Sequence, residues 1–232
     1  MVNTTGYRYG LGMVLVVAWL VATGYAFWYF QLQYVRPFDV ESRATQSHWF
    51  EADALAASIL EQIEFTNRTD RGRALATVIN LWDPGCACSR FSAAHVRDLI
   101  ERFSDQGVRF VVVAPSPLDE RAIAKARATF GSDAMIGHFG GTEWARAVPA
   151  SPAAIVLDEQ HHIRYFGPYS NDAFCSSEGG AFVEVTLDHL LGHSVRDPAV
   201  NVLASGCFCD WKPERTVAGG PHTIIMSAEV SA

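Results

Sequence analysis

The first constraint on this chain is an uncharged apolar run near its N-terminus. Residues 11–30 contain no Asp, Glu, Lys or Arg. As an α-helix, a run of this length rises about 30 Å, which matches the hydrocarbon thickness of a membrane. The run ends in aromatic side chains, a type that favours the membrane–water interface. The sequence therefore predicts a transmembrane helix over residues 11–30, with residues 1–10 as its N-terminal flank.

A cleaved signal peptide is the alternative for this segment. A signal peptide has a shorter apolar core followed by a small-x-small cleavage site. The nearest match, Gly24-Tyr25-Ala26, runs directly into bulky aromatic residues, which favours a retained anchor. The charges do not fix its orientation, because Arg8 lies on one side and Arg36 and Arg43 on the other.

The rest of the chain has the size and composition of one globular domain with extensions. The length is 232 residues, and 49% of them are hydrophobic. The formal net charge of −7 argues against a nucleic-acid partner, which needs a basic surface.

Strand and helix patterns alternate after the anchor. A helix is predicted over 47–64. It belongs to the region 31–69, which is expected to consist of a juxtamembrane linker and this helix. Short apolar runs then predict strands, and longer amphipathic segments predict helices. The predicted strands are 74–82, 108–114, 133–139, 152–157 and 162–166, and the predicted helices are 86–103, 118–130 and 181–191. Such alternation is typical of an α/β domain with a partly parallel sheet.

Two cysteines stand where the first predicted strand meets a helix. Cys86 and Cys88 follow the turn sequence Asp83-Pro84-Gly85. The positive end of a helix dipole and its free N–H groups stabilise a thiolate, so Cys86 is the predicted nucleophile and Cys88 the predicted resolving thiol. Side chains two positions apart on a regular helix point about 200° apart. Cys86 must therefore lie outside the helix if these two are to bond.

Two motifs in this order carry a family resemblance. Trp82 ends the strand shortly before Cys86, and Ser151-Pro152 precedes a later apolar strand. Residues 70–192 thus resemble the thioredoxin superfamily, especially membrane-anchored thiol-disulfide proteins of the bacterial periplasm. The resemblance implies a cis-proline at Pro152, facing the cysteines. Arg90 is a candidate to add positive potential beside Cys86.

The resemblance also implies a fold, an activity and a location. The expected fold is an α/β, thioredoxin-like mixed sheet flanked by helices, with an N-terminal transmembrane helix and an irregular C-terminal extension over 193–232. The expected activity is thiol-disulfide exchange with extracytoplasmic protein thiols or disulfides. The expected location is the bacterial inner membrane, with one span and the soluble domain in the periplasm. The bilayer would be contacted through residues 11–30.

Two departures from the family pattern limit what is carried over. The usual pair is Cys-x-x-Cys, whereas this chain has Cys86-Ala87-Cys88. Asn80 also stands where thioredoxin has a buried acid that helps to move protons. The ordinary reductase mechanism is therefore not transferred whole.

The remaining cysteines form a candidate second thiol site: Cys175, Cys207 and Cys209. At about 3.3 Å per residue, the C-terminal segment is long enough to reach back to Cys86 and Cys88. Cys207 and Cys209 would then cap the first pair. Three alternatives stay open: buried inert thiols, a copper or zinc site, and a non-catalytic binding module. The candidate metal ligands are Cys86, Cys88, Cys207 and Cys209.

Overall fold

The computed structural model of the chain describes seven segments, to which every structural statement below refers. They are residues 4–30, 35–38, 59–67, 72–139, 148–169, 182–194 and 205–211.

The N-terminal run forms helix α1 (Thr4–Phe30). Its segment Gly10–Tyr29 is long and apolar enough to cross a membrane, and none of that segment is buried against the rest of the chain. An apolar helix with no protein partner needs a non-aqueous environment or a further partner. The predicted span 11–30 falls within this helix.

Within the described segments, ten strands and three further α-helices follow α1. The strands are β1 (Val35–Pro37), β2 (Ile63–Asn67), β3 (Ala76–Leu81), β4 (Val108–Ala114), β5 (Met135–Phe139), β6 (Ala150–Ser151), β7 (Ala153–Asp158), β8 (Ile163–Gly167), β9 (Ser205–Cys207) and β10 (Cys209–Asp210). The helices are α2 (Ala87–Phe103), α3 (Glu120–Phe130) and α4 (Phe182–Leu190).

Six of the strands form a mixed sheet in the order β2-β5-β4-β3-β7-β8. The neighbours β3, β4 and β5 run parallel, whereas β7 is antiparallel to β3 and forms a hairpin with β8. The hairpin partner β8 leads on towards the closing helix α4. This strand–helix–strand unit followed by a hairpin and a helix is the thioredoxin-like fold, so the predicted fold class is confirmed.

Both faces of the central strands are covered, which explains their continuous apolar sequences. Alternate residues face opposite sides, as Val78 and Ile79 do on β3. Val78 packs in the cluster that includes the apolar faces of α2, α3 and α4. Ile79 packs in the second cluster, which also holds Phe208 and Trp211 from the C-terminal segment. The extension therefore completes the core on the sheet face opposite these helices.

Two local predictions differ from the structure. Ile63 and Glu64, predicted as the end of a helix, begin strand β2; residues 47–58 of that helix lie outside the described residues. The pairing of β2 with β5 overrides the helical spacing of these residues. The two strands pack so closely that a Cβ at Gly137 would stand only 2.7 Å from Ile63 Cγ2. The apolar spacing of the helix predicted over 86–103 puts Phe91 on the same side as Val96 and Leu99, but Phe91 is 55% exposed.

Candidate thiol-disulfide site

A tight turn stops strand β3 and sets the start of helix α2. The backbone N–H of Gly85 donates to Asp83 Oδ1 at 2.7 Å, and the N–H of Cys86 donates to the Asp83 carbonyl at 3.1 Å. The N–H of Asp83 in turn donates to Ser89 Oγ at 3.3 Å. Asp83 thus ties the turn to both the backbone and the first turn of the helix.

Cys86 occupies the N-cap position of α2, just outside the helix. Its backbone is extended, with φ −78° and ψ 126°, whereas Cys88 lies within the first helical turn. This is the placement that the sequence required for a bond between Cys86 and Cys88. The first N–H groups of a helix have no intrahelical partner and carry partial positive charge. A thiolate released at Cys86 would therefore be stabilised.

The structure bonds each cysteine of this motif to the C-terminal motif. Cys86 is linked to Cys209 with their Cα atoms 5.9 Å apart, and Cys88 is linked to Cys207 at 5.4 Å. The predicted roles required a bond between Cys86 and Cys88, but Cys86 is bonded to Cys209 instead. The sulfur atoms of Cys86 and Cys88 lie within 4.8 Å of each other, but each is bonded to a sulfur of the returning segment, which brings two cysteines to the helix entrance.

Pro152 lies beside this cluster, as the resemblance implied. The Ser151–Pro152 peptide bond is cis. Cys86 Sγ lies 3.8 Å from the carbonyl oxygen of Ser151, although the two residues are 65 positions apart. Ser151 is fully buried, and its Oγ has no hydrogen-bond partner among the described residues. The cis-proline loop therefore forms one wall of the sulfur cluster.

Short ladders dock the C-terminal segment against that wall. Strand β10 is antiparallel to β6, with Cys209 opposite Ser151 and Asp210 opposite Ala150. Strand β9 is antiparallel to β1, which lies in the region predicted as a linker. Between them, the ring of Phe208 meets that of Phe38 at a centroid distance of 5.3 Å. Backbone pairing and aromatic packing thus position both sulfurs of this segment.

Burial differs sharply among the four sulfur-bearing residues. Cys88 is 0% exposed, Cys86 3% and Cys207 6%. Cys209 is only partly buried. The sulfur atoms of Cys86, Cys88 and Cys209 all lie within 4.8 Å of one another. The cluster thus has one sulfur-bearing residue nearer to solvent and three beneath the surface.

The other predicted site residues have different surroundings. Trp82 is buried, and its ring packs edge-on against Phe130 at 5.6 Å between centroids. Arg90 is exposed on α2. Cys175 lies outside the described residues. Trp82 therefore supports the core beneath the turn, while Arg90 is in solvent next to the helix start.

A buried polar chain near the site was not predicted from the sequence. The hydroxyl of Tyr169 donates to Asn80 Oδ1 at 2.8 Å. The Tyr169 ring meets His95 of α2, whose Nε2 lies 3.3 Å from Glu184 Oε1 on α4. Asn80 itself stands out in the sequence, because thioredoxin has a buried acid at this position. Its partner is 89 residues away, and no local pattern signals that contact.

The docking strand β6 was also missed. Ala150 and Ser151 form a two-residue ladder with β10, which is too short to give a period-two pattern. The sequence signal for this strand was Ser151-Pro152. A proline in a sheet is confined to edge strands, strand starts and bulges, and an edge strand can pair with another segment.

Residues 56–211 match the family described as "Domain of unknown function (DUF6436)". The chain belongs to this family. The matched range in this DUF6436 chain contains both Cys-x-Cys motifs, together with Pro152. The match therefore spans the sheet as well as the docked segment that completes the sulfur cluster.

This DUF6436 chain is also similar to solved structures, all at low identity. A hypothetical protein from Sinorhizobium meliloti 1021 is 11% identical, with 60% of this chain and 80% of that chain covered and a TM-score of 0.49. An uncharacterized conserved protein from Geobacillus kaustophilus is 18% identical, with coverages of 61% and 79% and a TM-score of 0.47. A thioredoxin-like protein solved in its oxidized form is 18% identical, with coverages of 55% and 86% and a TM-score of 0.42. No curated protein sequence matches the chain.

Proposed function

We propose that this protein is a membrane-anchored thiol-disulfide exchange protein that acts on protein thiols or disulfides outside the cytoplasm. The observation that carries the proposal is the position of Cys86. Its sulfur lies at the N-terminus of a helix, 3.8 Å from the carbonyl oxygen of Ser151 before the cis-proline, and is disulfide-bonded. A helix N-terminus favours the thiolate, which is the attacking and the leaving form in exchange.

Exchange needs only the sulfurs and their surroundings. A substrate thiolate attacks one sulfur of a disulfide, and the other sulfur leaves as a thiolate. A leaving group of lower pKa leaves faster, so Cys86 is suited to leave when its partner is attacked. Exchange can run in either direction. The substrate is then a protein dithiol, which is oxidised, or a protein disulfide, which is reduced.

The location is proposed on two supports. Helix α1 has a span of 20 residues that is long and apolar enough to cross a membrane and is not buried inside the protein. The cluster holds two disulfides, which persist in oxidising compartments such as the bacterial periplasm. We therefore place the soluble part on the periplasmic side of the inner membrane. Labelling intact spheroplasts of a Cys86→Ser variant with a membrane-impermeant maleimide tests this. We expect labelling before permeabilisation; labelling that requires permeabilisation contradicts the proposed side.

A single-turnover assay tests the exchange activity. The full-length oxidised protein, in detergent micelles, is mixed with a reduced, unfolded protein that carries two cysteines, and loss of substrate thiols is followed. We expect wild-type to oxidise this substrate far faster than an equal concentration of glutathione disulfide does. Cys86→Ser should abolish that advantage. Arg97→Gln, on the exposed face of α2, is the matched control and should retain the wild-type rate.

Metal binding is a second candidate function, favoured by one observation. The sulfur atoms of Cys86, Cys88 and Cys209 lie within 4.8 Å of one another, and Cys207 is bonded to Cys88. After reduction of both disulfides, these residues offer four thiolates, a donor set that suits copper(I) or zinc. Reduced full-length protein would then retain one equivalent of zinc through gel filtration, and a Cys207→Ser variant would retain less. If the reduced protein retains no metal, this candidate function is excluded.

A further inference from the structure

We propose that Cys209 is the sulfur that an external thiol attacks and Cys86 is the sulfur that leaves as a thiolate, while Cys88–Cys207 is a clamp that holds Cys209 beside Cys86. This division of labour rests on the proposed exchange function, since it assigns the steps of that reaction to individual sulfurs. It replaces the resolving role that the sequence suggested for Cys88.

Access selects the bond that reacts. Both sulfurs of the Cys88–Cys207 disulfide belong to buried residues, at 0% and 6% exposure. In the other disulfide, Cys86 is equally buried, but Cys209 is partly exposed. Exchange requires an approach to a sulfur, so an external thiolate meets Cys209 first.

Leaving-group stability selects the same bond. Attack on Sγ of Cys209 expels the sulfur of Cys86, which lies at the N-cap of α2 and gains from its dipole. The Cys86–Cys209 bond thus joins the partly exposed residue that is attacked to the residue whose leaving thiolate is stabilised. Opening this bond leaves Cys86 in its contact with the cis-proline loop.

The clamp keeps Cys209 close to Cys86 when the bond between them opens. Cys207 is bonded to Cys88 and paired with Val35, and the intervening Phe208 is 3% exposed. Cys209 also remains opposite Ser151 in the β10–β6 ladder. A tethered thiol has a high effective concentration, so the Cys86–Cys209 bond re-forms rapidly.

The chemistry balances as two sulfur displacements. A substrate thiolate attacks Cys209 Sγ, the Cys86–Cys209 bond breaks, and Cys86 leaves as a thiolate. The second substrate thiolate attacks the substrate sulfur of this mixed disulfide, so Cys209 leaves as a thiolate and a substrate disulfide forms. The substrate loses two electrons, the protein gains them, and the thiol protons pass to the released thiolates or to solvent. An external protein disulfide reverses these steps and re-forms Cys86–Cys209.

Partial reduction of the full-length protein tests this assignment. The protein is treated with one equivalent of dithiothreitol, quenched with iodoacetamide and digested with trypsin. Mass spectrometry then examines the peptides 74–90 and 197–215, each of which carries one Cys-x-Cys motif. We expect them to stay joined by Cys88–Cys207, with Cys86 and Cys209 alkylated. Alkylation of Cys88 and Cys207, a disulfide within either motif, or absence of any singly reduced species overturns the proposal.

A pair of variants separates access from folding. Cys86→Ser frees the Cys209 thiol, and Cys88→Ser frees the Cys207 thiol, while each retains the other disulfide. We expect the Cys209 thiol to react with a disulfide reagent such as DTNB about tenfold faster or more. Equal rates in two folded variants contradict the assignment. If the substrate assay fails while this order of reactivity holds, the exchange function is wrong and the assignment of the outer disulfide still stands.

Discussion

Cys209 lies opposite Ser151 in an antiparallel ladder, and Ser151 is joined to Pro152 by the cis peptide bond. The same residue is disulfide-bonded to Cys86 at the start of helix α2. A segment of the chain's own C-terminal extension therefore occupies the space beside the cis-proline. Under the proposed exchange function, a substrate that approaches Cys86 meets that segment first.

The two disulfides should contribute to stability in a strongly non-additive way. They close nested loops with sequence separations of 123 and 119 residues, so either one alone closes nearly the same loop. By loop entropy, the second bond adds only a loop of about four residues, worth about 2 kcal/mol, whereas the first is worth about 5 kcal/mol.

Urea unfolding of matched serine variants measures this. We expect Cys88→Ser/Cys207→Ser to lower the free energy of unfolding by about 2 kcal/mol, and replacement of all four cysteines to lower it by about 7 kcal/mol. Additive losses, in which removal of both disulfides costs only the sum of the two single-pair losses, would contradict nested loops.

Asp158 should make stability depend on acid pH. Burial raises the pKa of its carboxyl, but hydrogen bonds from His162 and Arg164, with the charge of Arg164, outweigh burial and lower the pKa. A lowered pKa gives stability that is present above the unfolded-state value near 3.8 and is lost as pH falls through the folded-state value.

The comparison is with Asp158→Asn, which keeps the shape and removes the charge. Wild-type should exceed the variant in unfolding free energy most at neutral pH, with the difference shrinking below about pH 4. A difference that stays constant from pH 7 to 3 would show that the carboxylate charge contributes nothing.

Much of the sheet was predictable, because strands β3, β4 and β7 are continuous apolar runs that only a covered sheet explains. Pro152 was predictable because its neighbours carry a family motif. The pairing of Cys86 with Cys209 was not, since cysteine connectivity depends on where a segment 123 residues away docks. The start of β2 was missed because Ile63 and Glu64 extend a helical spacing, and only pairing with β5 decides their conformation.

The contact between Tyr169 and Asn80 should contribute through the cost of leaving it unmade. Both residues are buried, and Asn80 Nδ2 already has no hydrogen-bond partner among the described residues. Tyr169→Phe removes the donor to Asn80 Oδ1, so we expect a loss of about 1–3 kcal/mol of unfolding free energy.

A double-mutant cycle checks that this loss belongs to the pair. In an Asn80→Leu background the acceptor is gone, so Tyr169→Phe should cost markedly less than in wild-type. The same cost in both backgrounds would assign the effect to ring packing alone.

The apolar helix should be sensitive to charge at its centre. Val17 lies within the candidate span, at the middle residue of helix α1, and is 54% exposed in the protein alone. Val17→Lys should weaken insertion by about 3 kcal/mol, whereas Val17→Leu should not. The fraction that resists carbonate extraction from membranes reports insertion. An equal fraction for both variants would contradict a spanning role for α1.

Disulfide mapping of the unreduced protein tests the central claim, that the two Cys-x-Cys motifs are bonded to each other. Trypsin releases the motifs in separate peptides, 74–90 and 197–215, because no Lys or Arg lies between Arg73 and Arg90 and Lys212 precedes a proline in the second. We expect the two peptides to be recovered as one species joined by two disulfides. Recovery of separate peptides, each with its own internal Cys-x-Cys disulfide, would contradict the account.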